Sequence, residues 1–369
     1  MSDPRVVKLA RLMVAYSTRI GKGDRVAIEA QPAAEPLVMA LYESILEAGG
    51  HPHVLITLPG EEEMLLKRGS EAQLDFVPIF RKLAYDTFES RIRIYSEMNT
   101  RSLTQVGLDR YARYHKTLNP ILQTQLDRGA RGEFRWLTTL YPTTAYAQDA
   151  EMSLPEYEDF VYKACHVDEG TGDPIAYWEG VRSEQERIVK AFQGHDKVVV
   201  RGANCDLTLS IKKRVFINAC GDHNMPDGEV FTGPVEDSVN GWIRFTYPAV
   251  YQGSYVEGVE LTLRDGRVVQ AKAAKNEPFL LKMLDVDPGA RYLGEFAIGN
   301  NFGVQRHTRN ILFDEKIGGS IHLALGSGYP ETGNMNKSAL HWDMIADMKS
   351  DGEILVDGTL FYKNGAFRI

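Results

Sequence analysis

The residues best suited to chemistry lie in the C-terminal half of the chain, close to glycines and to predicted strand ends. They are potential metal ligands with one tyrosine among them: Glu229, Glu295, Glu315, His322, Tyr329, His341 and Asp343. Residues i and i+2 of a strand face the same side, so His341 and Asp343 can reach one ion. Imidazole and carboxylate ligands together suit zinc, cobalt or manganese. Four carboxylates and two imidazoles exceed the needs of one tetrahedral ion, which favours two divalent transition-metal ions that share an activated water.

Most of these residues also have a plain structural interpretation. Glu229 follows a Pro-Asp-Gly turn and is typical of a solvated carboxylate, and Glu315 stands in an Asp-Glu-Lys run typical of a charged surface. His322, between two aliphatic residues, fits a hydrogen-bonded core histidine, and Tyr329 fits a packed loop aromatic. Glu295 differs because it begins an apolar run, where a buried carboxylate is costly without a partner.

The first half of the chain has the pattern of an α/β domain. Residues 25–30 form a buried apolar run, 36–50 have helical periodicity and end in glycines, and 53–59 form a second strand. A strand, a crossover helix and a strand predict parallel pairing. Further strands are predicted at 91–96 and 134–142. We therefore expect an open α/β domain with a parallel sheet.

The pattern changes at about residue 197, where short segments rich in β-branched and aromatic residues begin. An Asp-Gly pair within 263–269 predicts a β-hairpin, and 276–286 predicts a helix among these strands. A helix at 174–194 is expected to carry the chain between domains. The prediction is an α/β N-terminal domain at 1–195 and a strand-rich α+β catalytic domain at 196–369.

Composition excludes several classes of protein. The formal net charge is −8, with no basic patch of the kind that a nucleic-acid binder needs. The three cysteines include no C-x-x-C pair, which fits a reducing compartment. Charged residues interrupt the apolar positions of the N-terminus, so no signal peptide is predicted, and no membrane span or glycine-rich nucleotide motif is found. A soluble cytoplasmic protein is expected.

Four segments, taken together and in this order, resemble the aminopeptidase T/aminopeptidase S family of metallopeptidases: MPDGEVFTGPVEDSVNG, GEFAIGNN, NILFDEKIGGSIHLALGSGYPETG and NKSALHWDMIAD. The likeness covers nearly the whole chain. The family lacks a His-Glu-x-x-His helix, and so does this sequence. The resemblance implies a two-metal exopeptidase that removes the N-terminal residue of short peptides and is commonly a homodimer.

The family's functional residues carry over motif by motif. The metal ligands that the resemblance implies are Glu229, Glu295, Glu315, His322, His341 and Asp343. Two extra residues separate Glu315 from His322 relative to some members. In the mechanism so implied, a metal-activated water attacks the carbonyl of the first residue, and either Glu295 or Glu315 shuttles the proton. Tyr329 matches a tyrosine with an active-site role and would donate a hydrogen bond to the tetrahedral intermediate. The N-terminal domain would cover the cleft and limit peptide length.

Two other functions remain open from the sequence. A related scaffold carries mononuclear iron(II) dioxygenases that cleave hydroxylated pyridine rings, and His322, His341 and Asp343 supply their two-histidine, one-carboxylate ligand set. The three glutamates favour the two-metal peptidase over that enzyme. The other alternative is a non-catalytic peptide-binding protein that keeps the fold.

Overall fold

The chain divides into two structural units. One consists of Met1–Tyr177 and Gly221–Pro226, and the other of Trp178–Cys220 and Asp227–Ile369. The structure is a computed structural model that describes residues 3–170, 172–251 and 253–369. Among these residues no helix is both long and apolar enough to cross a membrane.

A parallel sheet forms the centre of the first unit. Its first four strands are β1 (Arg25–Ala30), β2 (His51–Ile56), β3 (Ser90–Tyr95) and β4 (Arg135–Leu140), in the order β2-β1-β3-β4. Its helices are α1 (Pro4–Leu12), α2 (Glu35–Glu47), α3 (Glu61–Arg68), α4 (Glu71–Leu74), α5 (Ile79–Thr87), α6 (Leu108–Ala130), α7 (Thr144–Asp149) and α8 (Leu154–Ala164). The predicted parallel α/β architecture is confirmed.

The second unit is rich in strands. Helix α9 (Pro174–Phe192) leads into it, and α10 (Glu277–Leu284) and α11 (Ile311–Asp314) lie among its strands. The strands that follow α9 along the chain are β5 (Lys197–Gly202), β6 (Cys205–Ser210), β7 (Ile217–Ala219), β8 (Asn224–Met225), β9 (Glu229–Thr232), β10 (Asn240–Arg244), β11 (Ala249–Tyr251), β12 (Ser254–Val256), β13 (Glu260–Arg264), β14 (Arg267–Lys272), β15 (Leu293–Gly299), β16 (Ser320–Gly326), β17 (His341–Asp347), β18 (Glu353–Val356), β19 (Thr359–Lys363) and β20 (Ala366–Phe367). All but β8 belong to this unit.

Three antiparallel sheets organise the second unit. The largest has the order β14-β13-β10-β6-β5-β18-β19-β20, a second is the pair β11-β12, and the third has the order β17-β16-β15-β9-β7. The predicted hairpin is β13–β14, where Asp265 and Gly266 have φ of 48° and 76°, as a two-residue type I′ turn requires. The predicted strand-rich α+β architecture is confirmed.

Strand β8 belongs to the first unit, although its neighbours along the chain belong to the second. It adds to the free edge of β4 in parallel, with Asn224 opposite Thr138 and Met225 opposite Thr139. The hydroxyl of Thr139 donates a hydrogen bond to the Met225 carbonyl over 2.6 Å. The chain thus leaves the second unit for six residues, completes the parallel sheet and returns just before Glu229.

The five-stranded sheet of the second unit has two chemically different faces. Phe296 on β15, Leu323 on β16 and Met344 on β17 are at most 1 % exposed and belong to the apolar core. Because side chains alternate along a strand, the residues between them face the opposite side. That opposite face carries the candidate site.

Candidate metal centre

The site begins with a row of side chains across three strands. Glu295 on β15 lies opposite Ala324 on β16, which lies opposite Asp343 on β17. His341 lies two residues before Asp343 on the same face, opposite Gly326. The small residues on the central strand leave room between the polar side chains of its neighbours.

The same arrangement continues further along β15, with partners on both neighbouring strands. His322 lies opposite Ala297, and Glu229 on β9 lies opposite Gly299. Alanine and glycine again alternate with the polar groups. Glu229 is 5 % exposed, and His322 is 1 % exposed.

Both histidines are oriented through their Nδ1 atoms. His322 Nδ1 lies 3.0 Å from the Glu315 carbonyl oxygen, and His341 Nδ1 lies 2.8 Å from that of Ser327. A ring whose Nδ1–H donates to a carbonyl has Nε2 as its free lone pair, the usual arrangement of a metal-ligating histidine. Both Nε2 atoms face the carboxylates.

Glu295 lies between the two imidazoles. Its Oε1 is 3.2 Å from His322 Nε2, and its Oε2 is 3.6 Å from His341 Nε2. Asp343 Oδ1 is 3.6 Å from His341 Nε2, and Glu229 Oε2 is 3.4 Å from His322 Nε2. The Glu295 carboxylate therefore presents one oxygen to each of the two histidines.

Three overlapping groups of donor atoms result, each with its atoms within 4.8 Å of one another. They are Glu229–Glu295–His322, Glu295–His341–Asp343 and Glu315–His322–Asp343. All six ligands predicted from the sequence are brought together, including Glu315 in spite of the two extra residues. The segment between Glu315 and His322 turns at Gly319, which has φ of 86°, and β16 begins at the next residue.

The donor set fits divalent cations on two further observations. Glu229 Oε2 and Asp343 Oδ1 are buried and have no hydrogen-bond partner within the described part of the chain, a costly state unless a cation is bound. Burial raises the pKa of Glu229, and neighbouring carboxylates raise it further against the opposing effect of Lys316. Burial by itself lowers the pKa of His322, but the surrounding carboxylates outweigh it and raise the value to about 10. The cluster thus carries excess negative charge, which divalent cations would neutralise.

Tyr329 lies at the rim of this face. Its ring meets the His341 ring edge-on, with centroids 5.2 Å apart, and lies 5.5 Å from the ring of Phe231. The Thr332 hydroxyl donates to the Tyr329 carbonyl over 2.6 Å and thereby fixes the turn that carries the phenol.

The glycines before Tyr329 are tightly packed. Gly326 has φ of 98°, and a Cβ placed on it would lie 2.2 Å from the Leu340 carbonyl oxygen. A Cβ on Gly328 would lie 2.1 Å from Asn334 Oδ1. Glycine is therefore needed here for close approach of the backbone, which places the turn beside β17.

Gly326→Ala is expected to lower the free energy of unfolding by about 2–4 kcal/mol, since it combines overpacking with a backbone conformation unfavourable to alanine. Urea unfolding followed by fluorescence measures the change. Gly358→Ala is the matched control, because Gly358 has φ of 84° but no atom within 4 Å of the place where a Cβ would lie. Equal losses in both variants would contradict the role of close packing at Gly326.

Sequence reasoning missed one charged residue of this region. Lys316 is 0 % exposed, Asp314 is 2 % exposed and Glu315 between them is only partly exposed, so the interpretation of the Asp-Glu-Lys run as a charged surface is wrong. Lys316 Nζ lies 3.1 Å from Glu229 Oε1 and also contacts Glu315 Oε1. The available signal was the apolar and glycine-rich sequence that follows, which is unusual next to a solvated charge cluster.

Comparison with known proteins gives a consistent result. The family model of the thermophilic metalloproteases (M29) matches residues 2–367. Aminopeptidase 2 of Geobacillus stearothermophilus is 27 % identical over 94 % of this chain and 93 % of its own length. Aminopeptidase T of Thermus aquaticus is 26 % identical, with 95 % of each chain covered.

Two solved structures are similar in fold. Wild-type AmpT from Thermus thermophilus has a TM-score of 0.85 at 22 % identity, with 99 % of both chains covered. The 2,5-dihydroxypyridine dioxygenase of Pseudomonas putida KT2440 has a TM-score of 0.62 at 14 % identity, with 98 % of this chain and 96 % of that chain covered.

Proposed function

This chain belongs to the thermophilic metalloprotease family (M29), and from that premise we propose that it is a metal-dependent aminopeptidase that removes the N-terminal residue of peptides. Relatives named aminopeptidases align along nearly its full length. One observation supports the proposal most directly: the Nε2 atoms of His322 and His341 and four carboxylates converge at one face of the sheet.

The proposed ligands are Glu229, Glu295, Glu315, His322, His341 and Asp343. Two ions are proposed because Glu295 offers one oxygen towards each histidine. Zinc, cobalt and manganese suit this mixture of imidazole and carboxylate. The chemistry that such ions supply is a lowered pKa for a water molecule and polarisation of a carbonyl oxygen.

Proton movement is assigned to the carboxylates and stabilisation of the intermediate to the phenol. Glu295 and Glu315 are the candidate bases, and burial raises the pKa of Glu315 above its ordinary value. Desolvation and the charges of Glu295 and Asp343 raise the pKa of Tyr329 well above its ordinary value. The phenol thus stays protonated and can donate to a developing oxyanion.

Removal of metal tests the proposal. Chelation followed by dialysis is expected to abolish hydrolysis of amino-acyl chromogenic substrates, and zinc, cobalt or manganese is expected to restore it. Magnesium is expected to fail, because it prefers oxygen ligands and this site offers two imidazoles. Activity and elemental content are measured on the same samples. Full activity in protein shown to be metal-free would contradict the mechanism.

The ring-cleaving dioxygenase remains the alternative because that fold is also similar. Its ligand set would need only His322, His341 and Asp343, whereas Glu229 and Glu295 also lie within the donor groups here. Peptide hydrolysis without oxygen supports the peptidase, and oxygen consumption with ferrous iron and a dihydroxypyridine would support the dioxygenase.

We also propose short peptides as substrates, a cytoplasmic location and a homodimer. The residues of the predicted N-terminal domain, 1–195, are proposed to limit peptide length. This predicts a fall in kcat/KM as peptides lengthen, which a series from dipeptide to decapeptide measures. Analytical ultracentrifugation measures the assembly.

A further inference from the structure

Lys316 is a fully buried cation whose ammonium lies among carboxylate oxygens. Nζ is 3.1 Å from Glu229 Oε1, contacts Glu315 Oε1 and lies 3.9 Å from Asp227 Oδ1. An ammonium that is fully buried among three carboxylates is held there as the cationic member of an ion-pair cluster.

Two hydrogen bonds of its backbone fix the position of Lys316. The Lys316 amide donates to the Phe313 carbonyl over 3.0 Å, and the Lys316 carbonyl accepts from the Asn301 amide over 3.0 Å. The lysine lies at the end of the turn after α11, and its Nζ reaches Glu229 Oε1 over 3.1 Å.

The ammonium contacts only part of the ligand set. Among the described residues its ion pairs are with Asp227, Glu229 and Glu315. Glu295, His341 and Asp343 form a donor group without it. A cation bound through Glu229 and Glu315 must compete with the ammonium for their oxygens, whereas a cation bound by the other group need not.

We propose that Lys316 is a positioning residue that takes the place of a divalent cation: it holds Glu229 and Glu315 before metal binds and then competes with the ion for them. The inference rests on the proposed function, since it presupposes ions at these residues. It makes the two ion positions unequal. The Glu295–His341–Asp343 position fills first, and the position on the Glu229 side binds its ion more weakly.

Titration of the metal-free full-length protein with zinc, by calorimetry with an elemental count, tests this proposal. For the wild type we expect two classes of site that differ in affinity by at least about tenfold, or a single occupied site. In Lys316→Met the second ion is expected to bind at least about tenfold more tightly than in the wild type, equivalent to about 1.4 kcal/mol. Lys316→Arg, which keeps the charge, should retain the unequal sites.

Thermal unfolding gives a readout independent of turnover. Metal-free Lys316→Met should have a lower Tm than metal-free wild type, because Glu229 and Glu315 lose their counter-cation, and zinc should restore most of the loss. Lys363→Met is the control: Lys363 pairs with Glu353 in the same unit but is partly exposed.

The outcomes separate this inference from the proposed function. Two equal zinc sites in the wild type, or identical isotherms for the wild type and Lys316→Met, overturn the role of Lys316 while the peptidase proposal stands. A wild type that binds no transition metal and hydrolyses no peptide overturns both. If Lys316→Met does not fold, the wild-type isotherm and that of Lys316→Arg decide, because equal sites in either contradict the competition.

Discussion

Glu295→Gln is expected to lower kcat/KM by about 10³-fold or more, equivalent to about 4 kcal/mol of transition-state stabilisation. Glu295 is 4 % exposed and offers Oε1 towards His322 and Oε2 towards His341. The amide keeps the shape and one oxygen but loses the negative charge and the second acceptor. Glu295 would need both the charge and the second oxygen to help hold two ions and to accept a proton. Steady-state kinetics with a saturating supply of metal measures the effect.

Stability and metal content show whether the Glu295→Gln effect is chemical. The metal-free variant should keep the wild-type fold, because the amide keeps the shape of the carboxylate and one oxygen that can face His322. Its metal content should fall. Glu353→Gln, in the same unit and paired with Lys363 away from the site, is the matched control and should retain full activity. More than a tenth of wild-type kcat/KM in Glu295→Gln would contradict an essential role.

Tyr329→Phe is expected to reduce kcat by about 10²–10³, or about 2.7–4 kcal/mol, with metal content near that of the wild type. The ring contacts with His341 and Phe231 do not require the hydroxyl. A donor whose hydrogen bond strengthens only as the oxyanion forms lowers the barrier without tightening ground-state binding. The expected signature is therefore a fall in kcat with little change in KM.

A purely structural role for Tyr329 predicts a different pattern. Loss of packing would lower Tm and leave turnover at low temperature nearly unchanged. Measuring kcat, Tm and bound metal on one preparation of Tyr329→Phe separates the two roles. Tyr251→Phe is the control, because Tyr251 packs against Trp342 in the same unit. Normal turnover, or metal loss in proportion to activity, would exclude Tyr329 as the oxyanion donor.

The regular elements could be predicted from local patterns because burial imposes periodicity on them. The strand at 25–30 is predicted with its observed bounds, and the helix predicted at 36–50 is Glu35–Glu47. The strand predicted at 53–59 begins earlier, at His51. The two-residue strand β8 has no periodicity of its own, since only its partner β4 makes it a strand.

The candidate ligands could be predicted because the motifs that carry them are specific in combination. Spacing alone could not show that Lys316 turns inward, because an Asp-Glu-Lys run looks the same in sequence whether solvated or buried. Spacing also does not show why glycine precedes Tyr329: at Gly326 any Cβ would collide with the Leu340 carbonyl oxygen. Burial and close approach are tertiary properties that one segment does not encode.

The excursion of Gly221–Pro226 into the first unit has a consequence for biosynthesis. A nascent chain that has emerged only as far as Tyr177 lacks β8, so β4 presents an unpaired edge, the kind of surface that recruits other strands. That edge stays open while the whole stretch Trp178–Cys220 is translated. The sheet of the first unit therefore cannot be completed until Pro226 has emerged, after part of the second unit has already been translated, and no single cut in the chain yields the two units intact.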